Sequence, residues 1–403
     1  MAALTSLDLF AGAGGITEGF RLAGVECLWA NDLMPEARET FAINHPSVAF
    51  DDHPIEDIDE KAVRRGLGLA KGELDCLVGG PPCQGFSINA PGRFIEDPRN
   101  LLFKRFIDFV AEFEPKAVMF ENVPGLLSLG KGFVLDRLIA ELGELGYDAV
   151  PRILLAANYG VPQERWRLIV LASRNGEVEH PKPTHHWAAR ANFSGGRVLA
   201  LRTADSDELL PRVSVRDALG DLPPIPSGGG TEVQAYPRRQ GSAYARWARE
   251  GSKDVVHHVA PGLSPINIER LKHIPPGGSW RDIPFELLPA GMQRARRSDH
   301  TKRYGRLEPE GLASTVMTKM DPHWGPAFHY EQDRVLSVRE AARLQSFPDH
   351  YRFAGSRVSQ YVQVGNAVPV LLANAVAHEI KRALHGRLKG RANGTLTARV
   401  VRI

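Results

Sequence analysis

The sequence predicts an α/β fold: a mostly parallel sheet with helices on both faces, joined to a smaller, irregular, partly β region. Three observations carry this. Over residues 1–178, short apolar runs alternate with amphipathic stretches, a pattern that implies parallel strands covered on both faces. From residue 179 to 329, prolines and glycines cluster, as in "LPPIPSGGG" and "IPPGGSW", and helical periodicity fades, as expected of long loops with few strands. Ordered patterning then returns over 330–385 and is expected to complete the sheet region.

The expected strands are Leu4–Phe10, Val25–Ala30, Leu74–Val78, Ala117–Phe120, Ile153–Ala157 and Leu168–Ala172. The clearest helix is "RNLLFKRFIDFVAEF", with Leu102, Phe106, Phe109 or Val110, and Phe113 at helical spacing. No convincing helix separates the last two strands, so they are expected to pair antiparallel at the sheet edge. Later, "SVREAARLQSF" has Ser337 followed three residues on by Glu340, the signature of a capped helix start. "AVPVLLANAVAHEIKRAL" reads as a longer helix. The basic tail, 386–403, is poor in apolar residues and is expected to be disordered.

With 403 residues, 43% of them hydrophobic, the chain can bury a large core in two domains. Cys27, Cys76 and Cys83 fit neither a disulfide framework nor a zinc site, so a reducing cytoplasmic setting and no metal are expected. No apolar run approaches a membrane span, and the N-terminus lacks a basic leader. The formal net charge is +3 but unevenly spread: residues 181–310 hold 20 Lys and Arg against 14 Asp and Glu. A basic middle with acidic flanks points to nucleic acid.

Four segments carry the chemistry. "LDLFAGAGGITEGF" reads as strand, glycine turn and helix, yet Thr17 stands where a dinucleotide fingerprint needs its third glycine. Asp32, 20 residues past Gly12, follows a strand where an acid can bond ribose hydroxyls. Asp57, in "IEDID", is placed to reach an adenine amino group. Together they suggest a nucleoside without a pyrophosphate, which fits S-adenosylmethionine. "GGPPCQGFS" places Cys83 just past a strand, at the edge where open parallel sheets bind ligands. Pro81 and Pro82 end that strand, and Cys76 within it reads as core. "MFENVPG" delivers Glu121 to the same edge, where desolvation favours a protonated carboxyl. In "QERWR", Arg165 and Arg167 alternate at strand period and are expected to share one face and meet a ligand or a partner carboxylate. A thiol, a carboxyl and a methyl donor suit carbon-5 methylation of cytosine, because thiolate addition at carbon 6 turns an unreactive carbon 5 into a nucleophile.

At these residues the chain resembles the cytosine-5 DNA methyltransferases of bacterial type. "DLFAGAGG", "GGPPCQGFS", "ENVPG", "QERWR", "GRLEPEGLASTVMT" and "QVGNAVP" match that family's motifs, in its order, across residues 5–370. The resemblance implies a Rossmann-like methyltransferase sheet with a target-recognition domain at 179–329. It implies Cys83 as nucleophile, Glu121 at ring nitrogen 3, and Arg165 and Arg167 holding a flipped cytosine and the nucleophile loop. Phe10, Gly12, Gly14, Gly15, Asp32, Leu33, Asp57, Ile58, Pro82, Asn366 and Ala367 would surround S-adenosylmethionine, the product being S-adenosylhomocysteine. Leu33 replaces an aromatic of some relatives, and Ala367 a serine of many. Double-stranded DNA is the expected partner, with Gln84 and Ser87 near the vacated base and Arg99 at phosphate. Arg294, Arg296 and Arg297, in "RARRSDHTKR", would also engage DNA.

The resemblance further implies a monomer in the bacterial cytoplasm at the nucleoid, with a separately acting restriction endonuclease as a candidate companion. Two rivals differ in kind. A tRNA methyltransferase shares the core motifs, but the long basic middle and the missing Cys-Phe-Thr signature speak against it. A DNA-binding regulator on a dead scaffold would be expected to have lost Cys83 or Glu121, and both are present.

Overall fold

The computed structural model of the chain describes residues 3–82, 101–127, 132–174, 176, 178–187, 209–237, 241–299 and 301–389. These form two compact units. The first takes in 1–159, 166–210 and 368–402; the second takes in 160–165 and 211–367.

The first unit is built on seven strands: β1 (Leu4–Leu9), β2 (Val25–Asn31), β3 (Ala49–Asp51), β4 (Cys76–Gly79), β5 (Ala117–Asn122), β6 (Asp148–Leu155) and β8 (Trp166–Ser173). Their order is β3-β2-β1-β4-β5-β8-β6. β8 runs antiparallel to both its neighbours, so the expected antiparallel pair lies at the edge. β6 starts five residues earlier than the apolar run suggested, because an edge strand tolerates Asp148 and Arg152. β3 has only three residues and no apolar run of its own. Chain order reverses about β1, between β2 and β4, and ligands of open sheets gather at such a point beyond the strand ends.

Side chains alternate across β1. Leu7 and Leu9 enter a core with Phe106, Phe109 and Phe113 of α4 (Leu101–Phe113) and Leu138 and Leu142 of α5 (Phe133–Glu144). Each fully buried ring or aliphatic side chain there stabilises by about 1.5–3 kcal/mol. Asp8 points the other way, toward α1 (Gly15–Leu22). The C-terminal helix α11 (Val370–Lys389) packs on α1 at Gly19, where an added Cβ would lie 2.5 Å from that of Ala373. Asn374 Nδ2 donates to the Gly19 carbonyl at 3.1 Å. α11 runs four residues into the segment expected as a disordered tail; three of them, Arg387, Leu388 and Lys389, are good helix formers.

In the second unit β9 (Gly230–Ala235) pairs antiparallel with β10 (Asp254–Val259), and β11 (Ala313–Ser314) pairs with β7 (Gln163–Glu164). Helix α9 (Val338–Leu344) carries the expected capping box of Ser337 and Glu340. It also buries three arginines with its flanks: Arg334 reaches both oxygens of Glu340 at 2.7 Å, Arg343 takes Asp221 and Asp349, and Arg339 donates to three carbonyls. Buried cations persist because nearly every donor has an acceptor.

Candidate active site

The nucleoside-type features lie at the ends of β1 and β2. Phe10, Gly12 and Gly14 all take positive φ, of 58°, 53° and 76°, and Gly14 begins α1 without a side-chain cap. Glycine suits the last two positions, whereas Phe10 is held in an uncommon conformation. Asp32 closes the loop: Oδ2 accepts the Gly12 N–H at 2.8 Å and Oδ1 the Met34 N–H at 2.9 Å. Burial raises its carboxyl above the ordinary value. Each oxygen keeps a free lone pair for a ligand hydroxyl. Leu33 is 64% exposed and Ile58 is buried in the core, while Asp57 is exposed at the end of a single turn, Ile55–Asp57, whose Ile55 is buried. No lysine or arginine occurs between Phe10 and Thr17. The donor set therefore suits a nucleoside carrying a cation and does not suit a pyrophosphate.

Below the loop lies a pair that the sequence reading passed over. Thr17 Oγ1 donates to Asp8 Oδ2 at 2.6 Å, while Asp8 Oδ1 is buried with no partner. Burial pushes the Asp8 carboxyl up to about 7 and the neighbouring Cys27 thiol up to about 12. A charged residue inside an apolar run was the available signal.

At the ends of β4 and β5 the geometry is tighter. Glu121 does not leave the sheet as expected; it is still within β5, opposite Ile169 of β8. Its Oε1 receives Arg167 Nε at 2.8 Å, with both side chains about nine-tenths buried. Desolvation lowers the Arg167 pKa, and Glu121 opposes that shift. Gly80 passes so close that an added Cβ would lie 2.7 Å from Glu121 Oε2. Asn122 Nδ2 holds the Pro81 carbonyl at 3.0 Å. Pro81 is buried and Pro82 exposed. Cys83, Gln84, Ser87 and Arg99 lie outside the described residues. Cys27 and Cys76 are buried, with Cys76 also pushed well up by desolvation.

Arg165 behaves differently from its expected twin. It precedes β8 and belongs to the second unit. Its acceptors include the carbonyls of Val316 at 3.2 Å, Gly365 at 2.8 Å and Ala367 at 3.1 Å. Carbonyls gathered by a chain crossing can satisfy a guanidinium as well as an acid can. Gln345 Nε2 also bonds the Ala367 carbonyl, at 3.1 Å, and Gln163 Nε2 bonds Gln345. Helix α10 (Arg357–Asn366) thus ends in a pinned turn, with Asn366 exposed and Ala367 buried. Arg294, Arg296 and Arg297 are exposed in the same unit. Asp51, Asp52 and His53 bring ligand-type atoms within 4.8 Å of one another, with the two carboxylates half-buried and the imidazole exposed.

The profile of the family described as C-5 cytosine-specific DNA methylase matches residues 4–382. The Type II methyltransferase M.AgeI of Thalassovita gelatinovora is 37% identical, over 94% of this chain and all of that protein. DNA (cytosine-5)-methyltransferase 1A of rice is 32% identical over 95% of this chain, which spans only 28% of the rice protein. Among solved structures, a DNA modification methyltransferase encoded within an E. coli prophage superposes with a TM-score of 0.72 at 23% identity, over 95% of this chain and 100% of that one. Spodoptera frugiperda DNMT2 superposes at 0.58 and 15% identity, over 94% and 100%. The structural likenesses speak to the fold; the profile and the 37% relative decide the family. The chain belongs to the C-5 cytosine-specific DNA methylases.

Proposed function

We propose that the chain is a DNA (cytosine-5)-methyltransferase that extrudes a cytosine from duplex DNA and methylates it at a defined sequence. One observation carries the reading: the stem leading to Cys83 is locked against the Glu121–Arg167 pair, through Gly80 on one side and Asn122 with Pro81 on the other. A nucleophile and a carboxyl that act on one ring need such a fixed relation.

Phe10, Gly12, Gly14, Gly15, Asp32, Leu33, Asp57, Ile58 and Pro82 would hold S-adenosylmethionine. That group supplies the electrophilic methyl taken up at carbon 5. The Cys83 thiolate adds to carbon 6 of the cytosine, and its electron pair passes through the ring toward carbon 5. Glu121, oriented by Arg167, engages ring nitrogen 3 and supports the proton this addition requires. Loss of the carbon-5 proton then expels the thiol. Arg165 fixes the turn that presents Asn366. The exposed arginines Arg294, Arg296 and Arg297, with Arg99, Gln84 and Ser87, engage the DNA.

The M.AgeI likeness supports a restriction–modification setting, with a separate endonuclease sharing the target sequence. No helix among the described residues is long and apolar enough to cross a membrane. The decisive test uses a duplex carrying 5-fluorocytosine at the target together with S-adenosylmethionine. A denaturation-resistant adduct is expected from the natural chain and none from Cys83→Ala; equal yields would remove Cys83 from the chemistry.

A further inference from the structure

Five other arginines of the described residues lie over an aromatic ring, and each is taken up by the protein: Arg105, Arg174, Arg216, Arg249 and Arg270 have carboxylate, carbonyl or amide partners. Arg303 is the exception. Its guanidinium carbon lies 5.2 Å from the centroid of the Trp324 ring, and among the described residues the guanidinium has no protein acceptor. The indole beneath it is 63% exposed. An exposed tryptophan carrying a cation with free donors gives little to folding and much to a ligand.

The two side chains stand on a rigid base. Tyr304, next to Arg303, is fully buried in a core with Trp280 and Phe328. It takes φ 51°, uncommon for a bulky residue, so the chain turns sharply as it passes from Arg303 into the core. Its N–H donates to the Pro322 carbonyl at 2.7 Å, and its hydroxyl lies 2.6 Å from His323 Nε2. Asp321 Oδ1 accepts the His323 N–H at 2.9 Å, and the Asp321 carbonyl accepts the Trp324 N–H at 3.1 Å. Around them the segment 294–303 holds five Lys and Arg against one Asp.

We propose that Arg303 and Trp324 form a sequence-reading unit for duplex DNA. The inference rests on the methyltransferase reading above and deepens it. A phosphate needs only positive charge, which the neighbouring arginines already provide. A planar fork held in place by stacking suits paired donation to the O6 and N7 edge of guanine. The exposed indole face offers apolar contact to a neighbouring thymine methyl or sugar.

Bisulfite sequencing of DNA from cells expressing the natural chain first defines its target. If no cytosine is methylated there, the enzymatic reading fails, and this is seen before any variant is made. With the target known, Arg303→Ala, Arg303→Lys and Trp324→Ala are compared for turnover and competitive binding on the target and on sites changed at one base pair. Preference for the target is expected to fall about ten- to a hundred-fold at one position, the weight of one paired base contact. Arg303→Lys, which keeps the charge without the fork, should behave like Arg303→Ala. Arg216→Ala, whose stacked guanidinium is engaged by Glu310 and Glu331, should keep the natural preference. Because Trp324 is largely exposed, melting temperatures should stay close to that of the natural chain. Unchanged base preference in both Arg303→Ala and Trp324→Ala overturns the proposal, whether or not total affinity falls.

Discussion

Glu121 and Arg167 meet at 2.8 Å from adjacent antiparallel strands, in a setting where neither side chain is more than 12% exposed. Truncating one partner leaves the other charge buried. Arg167→Met should therefore lower unfolding free energy by about 3 kcal/mol or more, measured by urea unfolding. Glu121→Gln keeps the shape and the hydrogen-bonding capacity but loses the proton chemistry. It should lose about 10²- to 10⁴-fold in methyl transfer, and it also leaves the buried Arg167 cation without its counter-charge, so activity is compared at a temperature where urea unfolding shows the variant folded. Full activity in Glu121→Gln would remove the carboxyl from the mechanism.

Asp8 gives a pH signature. Its carboxyl is raised from an ordinary value near 3.8 to about 7, so the folded state holds a proton that the unfolded state releases. Stability from this group is complete below about pH 4 and is lost as pH rises toward 7. Asp8→Asn should flatten that part of the stability curve, recorded by denaturant unfolding at each pH. A natural chain whose stability rises with pH across this window, with Asp8→Asn following the same curve, would contradict the assignment.

Gly19 and Gly66 should respond oppositely to alanine. At Gly19 a Cβ would meet Ala373, the Val370 carbonyl and the Asn374 nitrogen, all within 2.7 Å, so Gly19→Ala should cost about 1–3 kcal/mol. At Gly66, the last residue of helix α3 (Glu60–Gly66), nothing lies within 4 Å, and Gly66→Ala should stabilise by about 0.4–1 kcal/mol. Thermal melting of the two variants side by side checks the α1–α11 contact.

Asp32→Asn retains an oxygen for one backbone N–H but weakens any hydroxyl contact. Binding of S-adenosylhomocysteine, followed by calorimetry, should weaken about ten- to a hundred-fold. An unaltered dissociation constant would remove Asp32 from the proposed nucleoside site.

Much of the sheet could be read directly because its central strands are buried on both faces and so appear as apolar runs, from Leu77 and Val78 to Ile169 and Val170. The capping box of Ser337 and Glu340 was legible for a similar reason: it is local, three residues apart, and needs no distant partner. Polar edge residues obscured the start of β6, and β3 was too short to show a pattern.

The residue types of the site were equally plain, since Asp32, Glu121, Arg165 and Arg167 each lie within two residues of a strand end. Their pairings belonged to the tertiary structure. Arg165 and Arg167 look equivalent in "QERWR", yet one closes on Glu121 and the other on the carbonyls of Val316, Gly365 and Ala367. The Arg303–Trp324 stack joins residues 21 positions apart through a turn around buried Tyr304. A one-dimensional pattern records which side chains are costly to bury, but only the folded chain decides which acceptor each donor can reach.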